Sequence, residues 1–131
     1  MSALEQIDLG RLIASHGLRY LVEFGTGEGK DAAYAADFPF DHIYSIEPSH
    51  RLAIQAAFRH SANQKMTFIH GKGERGWRQV CAEIPAEIPV LFLLHGEQAE
   101  SDLAVIAASR PAGQDVVLVE TGGVIRTLSG A

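Results

Sequence analysis

A chain of 131 residues that is 47% hydrophobic and 21% charged has the size and balance of one globular domain, here residues 1–131. The apolar fraction excludes a disordered or collagen-like chain, and no apolar run approaches the roughly 20 residues that a membrane-crossing helix needs. The formal charge of −5 argues against nucleic acid as an obligate partner.

In chain order, Ser2 with Glu5 three residues on is a capping box. It opens a predicted helix that ends at Gly17, with Leu4, Ile7, Leu12 and Ile13 on one face. Residues 19–24 (RYLVEF) are rich in β-branched and aromatic side chains and stop at Gly25, which reads as a first strand. An alanine-rich helix over 31–37 is closed by Pro39. A second strand, 42–46 (HIYSI), leads through Pro48 into a helix reaching about His60. A third strand covers 65–70 (KMTFIH), and Trp77, Val80, Cys81 and Ile84 then have helical spacing, with Trp77 read as core. The run 89–94 (PVLFLL) is apolar on both faces, as a strand in the middle of a parallel sheet must be. A helix over 101–109 with Leu103, Ile106 and Ala107 inward precedes a fifth strand, 115–120 (DVVLVE). Five strand and helix alternations imply an α/β doubly wound parallel sheet of about five strands in the order 3-2-1-4-5, with helices on both faces.

Cys81 is the single cysteine, so neither an intrachain disulfide nor a cysteine-based zinc site can form. Residues 1–8 carry two acids and no basic or apolar leader, which predicts a cytoplasmic location. Charge is uneven. Six Lys or Arg stand against Glu74 between positions 51 and 78, whereas seven acids stand against Arg110 between 80 and 120. The basic segment is either a solvated face or a rim that steers an anionic ligand.

Ligands of such sheets bind beyond the carboxyl ends of the strands. The glycine clusters at 25, 27 and 29, at 71, 73 and 76, and at 122 and 123 each follow an apolar run, as strand-to-loop junctions do. The first junction, Val22-Glu23-Phe24-Gly25-Thr26-Gly27-Glu28-Gly29, is the richest. A P-loop needs four residues between its first Gly and the Gly-Lys pair; here there are three, and Asp31 follows Lys30 where Ser or Thr is required. The dinucleotide fingerprint needs a third glycine at position 30, which is Lys.

The pattern of an acid near the strand end followed by Gly-x-Gly-x-Gly resembles motif I of class I S-adenosylmethionine-dependent methyltransferases, a Rossmann-like family. Glu47 ends the second strand 47 − 29, or 18, residues beyond the last glycine. The resemblance implies that Glu23 helps to hold the methionine part of the ligand, and that Glu47 accepts hydrogen bonds from the ribose hydroxyls. The cofactor site it implies comprises Glu23, Gly25, Thr26, Gly27, Gly29, Glu47, Pro48 and Gly71. Lys72 stands where many relatives carry an acid facing adenine, and His95 stands near the position of an acid after strand four.

The expected function is methyl transfer from S-adenosylmethionine to a small molecule, an anionic acceptor being one expectation, with His95 as general base at a pKa near neutrality. The alternative is a catalytically inactive binding or regulatory protein for S-adenosylmethionine or S-adenosylhomocysteine. His70, His95, Glu97 and Glu120 share the strand-end rim but match no short metal motif, and no metal site is expected. The fifth strand would leave an apolar edge uncovered, which predicts a homodimer through it.

Overall fold

The computed structural model describes residues 2–129. One sheet runs in the order β3-β2-β1-β4-β5-β6, made of β1 Tyr20–Phe24, β2 His42–Glu47, β3 Met66–His70, β4 Val90–His95, β5 Val116–Thr121 and β6 Val124–Ser129. The first five strands are parallel in the predicted order 3-2-1-4-5, and β6 returns antiparallel along β5. The helices are α1 Leu9–His16, α2 Lys30–Ala35, α3 His50–Arg59, α4 Gly73–Cys81 and α5 Ala99–Ser109. Among the described residues no helix is long and apolar enough to cross a membrane.

Alternation along the strands divides the core into two layers. Val22, Phe24, Tyr44, Ile46, Phe92 and Leu94 face α4 and α5, where Trp77, Val80 and Ile106 close the layer. Leu21, Ile43, Leu91, Leu93 and Leu118 face the N-terminal segment and α2. Val90 to Leu94 are fully buried, as predicted for a central strand covered on both sides. At the opposite end of the sheet from the glycine loop, Arg110 grips Asp115 with two hydrogen bonds (2.9 and 3.0 Å) and donates to the Pro85 and Ile88 carbonyls. Asp115 in turn accepts the Val90 N–H at 2.9 Å, fixing the start of β4 beside β5.

Several sequence expectations are revised. The predicted N-terminal helix is two pieces: the Ser2–Glu5 capping box forms on a 3-10 turn over Ala3–Gln6, and Asp8 then caps α1 afresh. The inward face of α5 is Ala99, Asp102 and Ile106, with Leu103 half-buried and Ala107 exposed, so the helix is rotated from the predicted face. The largest correction concerns the sheet edge. Gly122 and Gly123 both take positive φ (59° and 84°), the requirement of a tight type I′ hairpin, and turn the chain back as β6. β6 covers the edge of β5, so the predicted dimer contact through that edge is already taken within the chain. Gln6 holds the returning strand, accepting the Ile125 N–H at 3.1 Å and donating to the Gly123 carbonyl.

Gly76 is also not a loop glycine. It lies within α4 against β2, where a Cβ would overlap the Cγ2 methyl of Ile46, itself 1% exposed. The absent side chain lets α4 sit close to the strand that ends in Glu47. Gly76→Ala should therefore destabilise the fold by about 1–3 kcal/mol despite alanine's better helix propensity, because neither backbone nor a β-branched neighbour can give way. Urea unfolding followed by circular dichroism measures this; a stabilised variant would contradict the close packing.

Candidate functional site

The loop 25–29 leaves β1 through three glycines with positive φ, of which Gly25 (101°) is the most demanding. Only glycine takes that conformation without strain, and the missing side chain leaves the backbone open beside His95, whose ring carbons would lie 3.5–3.8 Å from a Cβ there. The loop is held from beneath by Glu47, which ends β2. Its carboxylate accepts the Gly27 N–H (3.0 Å) and the Ser49 N–H (2.8 Å), joining the glycine loop to the entry of α3. Each oxygen retains lone pairs for a further donor.

Below Gly25 lies a buried ionic chain. Glu23 is fully buried. It accepts from Ser45 Oγ at 2.8 Å, and Ser45 is within 2.6 Å of Thr26 Oγ1. Its other oxygen lies 2.8 Å from His95 Nε2, which is also 3.4 Å from Asp31 Oδ2. The second ring nitrogen, Nδ1, is 2.8 Å from Glu120, and Glu120 accepts the Gly123 N–H at 2.6 Å. The chain thus crosses β2, β1, β4 and β5 and ends in the hairpin.

Burial alone would push the His95 imidazole down, but the hydrogen bonds and charges of Glu23, Glu120 and Asp31 prevail and raise its pKa to about 9. Burial raises Glu23 to about 7 against the opposing pull of His95. Hydrogen bonds from His95 and Gly123 hold Glu120 below the usual carboxylate range. At neutral pH His95 is therefore an imidazolium with both nitrogens donating. The near-neutral pKa expected of His95 from the sequence is revised upward, because three carboxylates around one imidazole favour its charged form.

Two cavities meet at Gly25 and His95. One, of about 330 Å³, is walled by Phe24, Ile46, Pro48, Gly73 and Asp102. The other, of about 420 Å³, is bounded by Thr26, Gly27, Lys30, Asp31 and Glu47. Both are within the range of small-molecule clefts. Of the residues predicted for the cofactor, Gly25, Thr26, Gly27, Glu47 and Pro48 line one or the other. Glu23 sits beneath the floor, bonded to His95. Gly29 begins α2, and Gly71 lies towards a separate surface basin bounded by His70, Lys72, Arg75 and Arg78. His95 and Glu120 come together, whereas His70 meets the Pro48 carbonyl (3.2 Å) and Glu97 is exposed. Glu23, Asp31 and His95 offer ligand atoms within 4.8 Å of one another, but His95 already supplies the positive charge that group needs.

Sequence reasoning missed Asp31 and Asp102. Both stand in the first turn of a helix, where an acid is expected merely to suit the dipole. For Asp102 the spacing 99, 102, 106 was the available signal.

No protein-family model matches the sequence, and no curated protein matches it. Solved structures do match. A methyltransferase from Aquifex aeolicus superposes with a TM-score of 0.61 over 90% of this chain and 65% of that one, at 13% identity. One from Geobacter sulfurreducens, solved with S-adenosyl-L-homocysteine, gives 0.59 over 89% and 46% at 18% identity. An rRNA methylase from Streptococcus thermophilus gives 0.56 over 85% and 68% at 15% identity. The chain spans about half the length of several structures that it matches. The fold is thus the Rossmann-like fold of class I S-adenosylmethionine-dependent methyltransferases, as the motif I resemblance implies, and it is shared by proteins named for different substrates.

The ionic chain sets a pH dependence. The folded pKa of His95, about 9, lies above its ordinary 6.5, so its contribution is complete below pH 6.5 and is lost as pH rises through 9. Glu23 acts in the same sense between pH 4.5 and 7. The melting temperature should fall between pH 6.5 and 9.5, with on the order of 2–3 kcal/mol lost. His95→Gln should flatten that fall; an equal slope in both proteins would refute the assignment.

Proposed function

We propose that this chain binds S-adenosylmethionine across Gly25 and transfers its methyl group to a small, uncharged acceptor. The observation that carries the reading is the pair of cavities joined at Gly25, with Glu47 held against the glycine loop between them. The donor set fits the ligand's parts. Glu47 retains acceptor positions for ribose hydroxyls, and the apolar walls Phe24, Ile46 and Pro48 suit a flat ring. Lys30 and Asp31 bound the second cavity as an ammonium and a carboxylate, complementary to an amino-acid zwitterion.

When bound, S-adenosylmethionine supplies an electrophilic methyl group on a positively charged sulfur. The residues here position and stabilise more than they move protons. Asp31 and Glu120 give the floor excess negative charge beside the Glu23–His95 pair, which favours a cationic ligand. His95, already protonated, cannot take a proton from an acceptor at neutral pH. Rate enhancement then rests on in-line placement, and an amine free base suits the site: its nitrogen lone pair would form the C–N bond as the C–S bond breaks, S-adenosylhomocysteine would leave, and the product ammonium would release its proton to water. An anionic acceptor has less support, because Arg75 and Arg78 of the basic segment bound a different basin and only Lys72 of that cluster reaches both.

The second reading, a binding protein without turnover, is favoured by one observation: both nitrogens of His95 are engaged, and Glu23, raised to about 7, is fully buried. Two measurements test these readings. S-Adenosylmethionine or S-adenosylhomocysteine at 100 times its Kd should stabilise the protein by about 2.7 kcal/mol, NAD should not, and Glu47→Ala should remove the shift. Stabilisation by NAD alone would overturn the proposal. Radiolabelled methyl transfer to a panel of amines at pH 7.5 should give product; binding with no product from any acceptor class would favour the second reading.

A further inference from the structure

Asp102 projects from the first turn of α5 into the cavity walled by Phe24, Ile46 and Pro48. It is 7% exposed. Among the described residues its carboxylate accepts no hydrogen bond from protein and joins no ion pair. Burial raises its pKa to about 6, with no partner to oppose the rise. The contrast with Glu23 is direct: that acid is buried deeper but is satisfied by Ser45 and His95. A carboxylate without a protein partner, facing a largely apolar cavity, is poorly solvated in the empty protein, and a ligand donor would improve on that.

The surroundings specify the donor. Gly73 starts α4 opposite, and a Cβ on it would overlap Asp102 Oδ1 and approach Phe24 Cδ2 to 3.6 Å. The missing side chain keeps the acid and the aromatic edge at one open corner. Most of the remaining wall is apolar surface from Phe24, Ile46 and Pro48, with Lys72, His95 and Gln98 as the other polar side chains, so a flat ring with an N–H on its edge satisfies both the apolar wall and the acid. Lys72 also borders the cavity, but an ammonium only donates and cannot meet an amino group.

Resting on the proposed S-adenosylmethionine site, we infer that Asp102 reads the adenine ring of the ligand by accepting a hydrogen bond from its exocyclic amino group. The acceptor comes from helix α5 and not from the loop after β3. Asp102 is thus a specificity residue for the purine, distinct from the ribose and methionine contacts.

The test is a cycle between protein and ligand, measured by calorimetric titration at pH 7.5. The two ligands are S-adenosylhomocysteine and its analogue with hydrogen in place of the 6-amino group. Wild-type protein should bind the analogue at least about tenfold more weakly, as expected for a hydrogen bond to a charged acceptor. Asp102→Ala should bind the two within about twofold of each other. Asp102→Asn, which keeps an acceptor oxygen, should retain part of the discrimination, and it serves if the alanine variant does not fold. The ligand-free Asn variant should also melt several degrees above wild type, since it removes an unpaired buried charge. A structural role, or a role as counter-ion to Lys72, would lower both affinities together. Unchanged discrimination in both variants would overturn the inference and leave the proposed site standing. Failure of wild type to bind either ligand would overturn the site itself, and the inference with it.

Discussion

A carboxylate with no exposure to water sits at the carboxyl end of the central strand. Leaving Glu23 ionised and unpaired there would cost several kcal/mol, and the end of the sheet nearest the glycine loop is arranged so that it is not. Ser45 reaches it from β2 and His95 from β4, and His95 is held in turn by Glu120 of β5. The hairpin completes the chain through Gly123. Because each link comes from a different strand, a shift of β1, β2, β4 or β5 by one residue would break the network as well as the core. The last strand, β6, is therefore coupled to the site even though none of its described side chains lines it.

The same constraint decides what the site can do chemically. An imidazole between carboxylates holds its proton, so a histidine that looks like a base on paper becomes a structural cation. The two buried acids on this rim illustrate opposite solutions. Glu23 is neutralised from within the protein and fixes the floor under Gly25. Asp102 has no hydrogen-bond or ion-pair partner among the described residues, and in the proposed site a ligand supplies one. Stability is kept at the first and given up at the second, the usual bargain between a fold and its binding site.

Much of this was legible in the sequence. The parallel five-strand order follows from alternating strand and helix signals, and β4 announces itself by being apolar on both faces. Glu47 falls on the same strand-end rim as the glycine loop by its distance from Gly29, whereas its grip on the Gly27 N–H appears only in the fold. What escaped is instructive in physical terms. The Gly122-Gly123 pair before Val124-Ile125 is a hairpin signal, but a short, polar-interrupted strand lies beyond it, and the pair also reads as a loop. Gly76 reads as a loop residue because a helical glycine needs a partner, Ile46, that lies 30 residues away in sequence. His95 looks titratable near pH 7 because its pKa depends on Glu23, Asp31 and Glu120, whose convergence is a property of the sheet alone. Asp102 looks like a helix-dipole acid until its face is known.

The central claim is that one ligand lies across Gly25, between Asp102 at one end and Asp31 at the other. A crystal structure of the protein with S-adenosylhomocysteine tests it most directly. The account predicts the ribose hydroxyls on Glu47, the purine between Ile46 and Gly73 with its amino group on Asp102, and the amino-acid end near Lys30 and Asp31. A ligand bound elsewhere, or one whose ribose does not reach Glu47, would contradict it.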